Sequence, residues 1–573
     1  MIRRMLAWLR NSFALVVIVV AFLWSIWTIQ TARREEAPPG TKIVLRIGHW
    51  QLETGVRDAL NKLAAEYHTL HPDVMVVQDP IPESTYGTWL TTQLMGGTAP
   101  DMLEPGMVWP EILIGYYSRY FRPMTPSSLD RPNPYNAKTP LAGVAWRKTF
   151  RDGLRSGYID ALQEYYTVPL SQANIRLFYN KTLFKKLTGL PADATNEPPK
   201  ELRAFLAVCD RIKQQQNARG QSYIPLAGSG YHFGNMWDPR VALPLTYGIL
   251  RKLDFNRDST VSLDEFYVGM ETGRIRFDLP EFAARFKMIQ LLVSEFQTGW
   301  TGLGRDEAVF LFAQQRAVFI PTGTWDFRGL QEQAKDEFDV GVIDFPHPTK
   351  TDPDFGTMVE GPVYESSIAS FAFAITRTCK YPEVALDFLQ FLSSQQGNEE
   401  LNKITGWIPS VNGANVSADL KEFEPHLEGV YGAMPVSMGG DTVNKWNQIT
   451  ALFNIGQIDY PALTSEYRAY YLQHAPDEFA EFKRNVQRGL AGDEQFLAGV
   501  RARALTATND NARLWVNYRN MATSRLLLRD LNMALINELL AEGPVTNAIT
   551  PYEVRPAALA KVRARLAGLQ GGN

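Results

Sequence analysis

The chain has 573 residues, 45% hydrophobic and 21% charged, with 58 basic against 61 acidic side chains and a net charge of −3. This balance excludes a mainly disordered chain and leaves no basic surplus for nucleic-acid phosphates. Two cysteines, Cys209 and Cys379, are too few for a disulfide framework or a Cys-rich zinc site, and the seven histidines form no H-E-x-x-H or H-x-H pattern.

The first element is apolar. Phe13 to Ile29 carries no charge, is just long enough to span a bilayer, and is the only such run, which excludes a polytopic transporter. Arg3, Arg4 and Arg10 precede it, which favours a cytoplasmic N-terminus. Gln30 stands two residues before Ala32 and spoils an A-x-A cleavage pattern. Residues 1–32 therefore read as an uncleaved signal-anchor, with a cleaved signal peptide as the alternative. Both export the rest of the chain. Residues 33–41, with two prolines and mixed charge, read as a tether.

Lys42–Gly48 (KIVLRIG) reads as a buried strand, and Thr54–Leu70 as a helix with Val56, Leu60, Leu63, Ala64 and Tyr67 on one face. Val74–Val77 is a second strand, Tyr86–Met95 a second helix, and a further strand starts at Pro100. This alternation predicts α/β architecture with a parallel sheet. It continues with extended chain over Thr167–Tyr179, helices over Pro199–Gln215 and Glu281–Glu295, and strands over Ala317–Ile320, Phe338–Phe345 and Ser370–Ile375. A further amphipathic helix covers Pro382–Ser393, and helical patterns dominate from Leu420 onward.

The order of motifs then resembles a known family. L-R-I-G-H-W, H-P-D-V and G-G-T-A-P-D are followed by Y-T-V-P-L (Tyr166–Leu170), F-Y-N-K-T-L-F (Phe178–Phe184) and Q-R-A-V-F-I-P-T-G-T-W (Gln315–Trp325). V-G-V-I-D-F-P-H-P (Val340–Pro348), A-L-D-F-L-Q-F-L-S-S (Ala385–Ser394) and T-G-W-I-P-S (Thr405–Ser410) close the series. Over roughly residues 42 to 412 this order is similar to the extracellular solute-binding proteins of sugar importers. The resemblance implies a type II periplasmic-binding-protein fold, two hinged α/β lobes closing on a ligand. Lobe crossings are expected near Val168, Ala317 and Thr376. The expected N-terminal lobe is 42–168 plus 317–375, the C-terminal lobe 169–316 plus 376–412, and residues 413–573 form a helical extension packed on the latter.

Sugars present C–H faces and hydroxyl rims, so aromatic planes beside carboxylates at the carboxyl ends of strands are the residues to look for. Eight candidates follow: Trp50, Glu53, Asp101, Trp109, Trp237, Trp325, Glu360 and Trp407. Each has a plainer role open to it. The tryptophans can be core, and Glu53 and Asp101 can be caps of their own loops.

Asp254-Phe-Asn256-Arg-Asp258-Ser-Thr260-Val-Ser262-Leu-Asp-Glu265 resembles an EF-hand calcium loop. Oxygen ligands fall at positions 1, 3, 5, 9 and 12, and Thr260 supplies the position-7 carbonyl. Ser259 departs from the pattern at position 6, where glycine is usual. The alternative is a solvated acidic turn.

The expectation is a membrane-tethered protein on the periplasmic, extracytoplasmic face of the inner membrane. It captures a carbohydrate for the permease subunits of an ABC importer, does no chemistry, and binds Ca2+ in the 254–265 loop. An exported glycan-active enzyme and a sensor ectodomain are the alternatives. No G-x-S-x-G, P-loop or G-x-G-x-x-G signal in a credible context supports the enzyme.

Overall fold

A computed structural model describes residues 40–544 apart from 109, 125, 160, 161, 163, 190–196, 366, 367, 431–434 and 509, and outside that span residues 20, 24 and 564. The expected signal-anchor and all but the end of the tether lie outside the described residues. Among those described, no helix is long and apolar enough to cross a membrane.

The strands, in chain order, are β1 (Ile43–His49), β2 (Val74–Pro80), β3 (Met102–Leu103), β4 (Tyr158–Ile159), β5 (Glu164–Tyr165), β6 (Val168–Ala173), β7 (Ile175–Asn180), β8 (Ile224–Leu226), β9 (Ala317–Gly323), β10 (Val340–Ile343), β11 (Ile368–Ile375) and β12 (Ile408–Pro409). The chain divides into two compact units, residues 1–172 with 369–416 and residues 173–368 with 417–573.

The first unit holds a six-stranded sheet in the order β12-β6-β11-β3-β1-β2. β1 is parallel to both β2 and β3, as the alternation predicts, whereas β11 runs antiparallel to β3 and β12 to β6. β1 buries Leu45 and Ile47. The helix Val56–Leu70 buries Val56, Ala59, Leu60, Leu63 and Tyr67, so Ala59 takes the place expected for Ala64. It packs on β2 and on the helix Gln395–Thr405. The approach is close enough that a Cβ at Gly55, itself at φ 87°, would meet the Ile404 carbonyl at 2.6 Å.

The second unit holds a four-stranded sheet in the order β10-β7-β9-β8. β7 is antiparallel to β9 and β10, and β8 is parallel to β9. Its core continues into the C-terminal helices Gly440–Asn454, Tyr460–Thr506 and Asp510–Glu542. Phe277 meets Trp446, Tyr467 and Tyr471, and Tyr267 stacks on Phe479 with ring centroids 4.0 Å apart. The helical extension is present and belongs to this unit.

The expected lobe boundaries need correction. β9 belongs to the second unit, because it pairs with β7 and β8. Residues 376–412 belong to the first, because the helices Pro382–Leu392 and Gln395–Thr405 pack on Val56–Leu70. The unit boundaries fall at 172/173, 368/369 and 416/417. Alternation along a sequence names strands but not the sheet each one joins.

Candidate functional site

Each unit presents the carboxyl ends of parallel strands, where α/β folds place ligands. In the first unit, β1 ends at His49 and β3 at Leu103, and Trp50 and Glu104 follow directly. Trp50 is half-buried. Its ring meets Tyr86 edge-on with centroids 5.0 Å apart and covers Gly106, where a Cβ would lie 2.5 Å from the indole. Tyr86 also touches Trp89, at 5.3 Å.

The Tyr86 hydroxyl donates to the Glu104 carbonyl at 2.7 Å, and Gln51 Nε2 donates to Glu104 Oε1 at 2.8 Å. Glu104 is buried, and its Oε2 has no hydrogen-bond partner among the described residues. Burial holds its carboxyl well above the usual range. The Gln51 hydrogen bond opposes this, and the Glu53 charge adds to it. His49 is buried with Nε2 on Gln78 Oε1 at 3.1 Å, and burial lowers its pKa. Glu53 is half-buried ahead of the helix Val56–Leu70, and its carbonyl accepts from Val56 N–H.

Asp101 needs a different reading from the one its loop suggested. It precedes β3 rather than following it, beside Arg46 in the parallel register. Its carboxylate accepts from Arg46 N–H at 2.9 Å and its carbonyl from Thr376 N–H at 2.9 Å. That puts it about 10 Å along the strand from the carboxyl edge, at ~3.3 Å per residue. The carboxylate at the edge is Glu104. Its signal in the sequence is its position as the first polar residue after the short apolar pair Met102-Leu103.

In the second unit, β9 ends at Gly323 and the helix Thr324–Ala334 begins. Trp325 is half-buried in its first turn, with the ring folded over Gly323, where a Cβ would lie 2.4 Å from it. Asp326 accepts from Thr322 Oγ1 at 2.5 Å and from Arg305 at 2.6 Å. At the end of β8 the buried pair Ser229 and His232 meet, Oγ to Nδ1, at 2.9 Å. Burial, with the Arg305 charge, pushes the His232 pKa down to about 3. Its Nε2 has no partner among the described residues.

The remaining candidates scatter. Trp237 is fully buried in a π-helical stretch, Phe233–Ala242, between Phe345 at 4.9 Å and Phe205 at 6.3 Å, and is core. Trp407 is buried in the first unit against Phe371 at 5.5 Å. Glu360 is exposed and pairs with Arg251 at 3.0 Å. Trp109 lies outside the described residues.

The 254–265 loop sits between the helices Tyr247–Leu253 and Leu263–Glu271. Asp254 accepts from the backbone N–H of Asp258 and Ser259, Asn256 from that of Asp258, and Asp258 from that of Thr260. The three short side chains are thereby turned inward. Ser259 takes the left-handed conformation at φ 70°, at a cost of about 1–2 kcal/mol for a non-glycine. Glu265 is buried and caps both ends of the turn. Its Oε1 accepts from Phe255 and Asn256 N–H, and its Oε2 from the Ser262 N–H and hydroxyl. Burial pushes its pKa up to about 7. Among the described residues, no three His, Cys, Asp or Glu side chains converge as a metal cage.

A family model described as bacterial extracellular solute-binding protein matches residues 62–427. The Multiple sugar-binding protein of Streptococcus mutans serotype c (strain ATCC 700610 / UA159) is 21% identical over 367 residues, covering 62% of this chain and 72% of that protein. Among solved structures, the solute-binding protein RafE in complex with raffinose has a TM-score of 0.51 at 16% identity, over 74% of this chain and 98% of its own. A chitin oligosaccharide binding protein has a TM-score of 0.50 at 16% identity, over 76% and 99%. These structural likenesses concern the fold. The family match stops at residue 427, ahead of the helices that begin at Gly440.

Proposed function

We propose, for a chain that belongs to the family of bacterial extracellular solute-binding proteins, that it captures a carbohydrate and delivers it to the permease of an ABC importer. The observation that carries this reading is a half-buried tryptophan at the carboxyl end of a strand in each unit, Trp50 after β1 and Trp325 after β9. Each stands beside carboxylate, amide or hydroxyl groups able to fix a hydroxyl rim. An indole plane buries the C–H face of a sugar ring, and flanking polar groups set its orientation. The similarity to a Multiple sugar-binding protein supports the same ligand class.

The protein binds its ligand without transforming it. The apolar run Phe13–Ile29 anchors it at the extracytoplasmic face, so full-length protein belongs in the membrane fraction. The 254–265 loop takes calcium on Asp254, Asn256, Asp258, Glu265 and the Thr260 carbonyl, with Ser262 at position 9.

The test is calorimetry of the purified chain against a panel of oligosaccharides, followed by chromatography of the recovered sugar. Saturable binding with the sugar returned intact is expected. A shortened sugar would make the protein an enzyme, and a panel without a binder would remove the carbohydrate reading.

A further inference from the structure

The last two helices of the second unit run further than its core does. Tyr460–Thr506 and Asp510–Glu542 pack on each other as an antiparallel hairpin, with Lys483 on Asn537 and Asp493 on Arg529. The first helix buries Leu463, Tyr467, Tyr471, Ala475 and Phe479 in the core of the unit, and the second buries Ile536 and Leu539 there. After Phe482 on the way out, and before Leu535 on the way back, no described residue of the hairpin joins that core. Over that stretch only Leu497, Val500 and Ala522 are buried. At ~1.5 Å per residue, residues 483–506 make an arm about 36 Å long.

The arm is basic in an acidic chain. Lys483 to Arg529 carries nine basic and three acidic side chains, whereas the chain as a whole stands at −3. Of the three acids, Asp493 is taken by Arg529. Arg484, Arg488 and Arg501 are exposed and reach no carboxylate among the described residues; Arg488 bonds to Asn485 at 2.7 Å. Arg484 and Leu505 stand three heptads apart and share a face of the helix, with Arg488 and Arg501 one turn inside them. Leu505 is 84% exposed. Phe496, Met521 and Leu528 are exposed along the same arm, and Trp515 lies under the Arg503 guanidinium, 5.8 Å from its ring centroid. A face that needs only to stay in water mixes both signs of charge and keeps large apolar groups few.

We propose that this arm binds the surface of an anionic lipid bilayer. Leu505 enters the headgroup region, and Arg484, Arg488 and Arg501 meet lipid phosphates. Charge selects this occupant. The arm of a second copy is equally basic, and residues 545–573 of this chain carry four basic side chains and one acidic, so both are repelled. Anionic headgroups attract a basic helix, and its buried apolar side chains then hold it at the interface. The contact does not depend on what the strand edges bind.

Cys209 and Cys379 are both buried, so Leu505→Cys gives the full chain one accessible thiol for an environment-sensitive fluorophore. The labelled chain is added to vesicles of phosphatidylcholine alone, or with a third of the lipid replaced by phosphatidylglycerol. Any anchoring by Phe13–Ile29 is common to both. On the mixed vesicles the emission should shift to the blue and be quenched by spin-labelled lipid. High salt should reverse both effects, because it screens exposed charges. On phosphatidylcholine alone the emission should stay where it is in buffer. The triple substitution Arg484→Gln, Arg488→Gln and Arg501→Gln should remove most of the shift while the melting temperature stays with the parent. Should that variant fail to fold, salt reversal in the parent decides the matter. Equal emission on the two vesicle types, or a shift that survives high salt or the folded triple variant, would overturn the proposal. So would a shift that grows with protein concentration without lipid, which would assign the arm to the acidic surface of a second copy.

Discussion

The two strand edges are built from the same parts and carry opposite electrostatics. Each has a half-buried tryptophan in contact with a glycine and a buried titratable side chain with one polar atom that has no partner among the described residues. In the first unit that side chain is Glu104, among carboxylates. In the second it is His232, under the charge of Arg305. Burial favours the uncharged form of both, which raises the acid and lowers the base. Desolvation, the largest cause at both, thus makes an acid in one unit and a base in the other respond to pH with opposite sign.

The sharpest way to break the comparison is to show that a tryptophan at an edge behaves like one in the core. Trp237 lies fully buried between Phe205 and Phe345. Trp237→Ala should cost about 3–5 kcal/mol, the usual range for deleting a large buried ring. Thermal or urea denaturation should show a large loss of stability in the second unit. A loss below about 1 kcal/mol would mean that Trp237 does not pack as its burial indicates.

The pH comparison follows next in size. His232 has a folded value near 3 against 6.5 when unfolded. Above about pH 6.5 both states are neutral there and nothing is lost. As pH falls from 6.5 toward 3 the unfolded chain takes up a proton that the folded one refuses, so stability declines. The limiting loss is on the order of 5 kcal/mol. Glu104 has the reverse sign: its folded value is raised, so its contribution is intact below the ordinary glutamate range and declines as pH rises through the folded value. His232→Gln should flatten the acid limb of the melting temperature against pH, and Glu104→Gln the alkaline limb. Unchanged limbs in both variants would remove the opposition.

Much of this was legible in the sequence, and the exceptions have physical causes. Period-2 and period-3.6 patterns marked the strands and helices to within a few residues at most ends, since periodicity reports which side chains are buried. Sheet membership was not legible, because β9 joins β7 and β8 through hydrogen bonds that no local pattern encodes. Trp237 and Trp325 look alike in sequence, yet only the second follows a strand end. Asp101 and Glu104 stand three residues apart, and the strand between them lasts two residues, so a small error in its start placed the wrong carboxylate at the edge. Glu265 shows a real ambiguity: Ser262-Leu-Asp-Glu265 is a capping box as well as the end of a calcium loop.

Calcium sharpens that last point. The Glu265 carboxyl, pushed up to about 7, is held by three backbone N–H groups and a hydroxyl. A divalent cation would favour its ionised form, so calcium should bind more tightly at pH 7.5 than at pH 5.5. Binding to the folded state alone adds about 2.7 kcal/mol at a hundredfold excess over Kd. The melting temperature should rise with calcium, and Glu265→Gln should remove most of the rise. A melting curve unmoved by calcium or chelator, in both the parent and Glu265→Gln, would leave Glu265 as a cap and the loop as a turn.

The smallest expected effect tests the binding edge directly. Trp325 stands in the first turn after β9, with its ring against Gly323, partly buried against the core of the second unit and partly open. Asp326 beside it is already engaged by Thr322 and Arg305, so the indole face is the part of this edge left to meet a ligand. A sugar ring laid on that face exchanges water for C–H contact, and truncation to alanine loses that contact while leaving the neighbouring hydrogen bonds intact. Trp325→Ala should therefore weaken binding of the identified sugar by at least tenfold, about 1.4 kcal/mol. Its melting temperature should stay close to that of the parent, in contrast to Trp237→Ala. If Trp325→Ala keeps full affinity, the ring is packing after all, and the second unit meets its ligand through the Ser229–His232 pair or not at this edge. If it loses stability as Trp237→Ala does, half-burial at a strand end is no guide to a binding tryptophan in this fold.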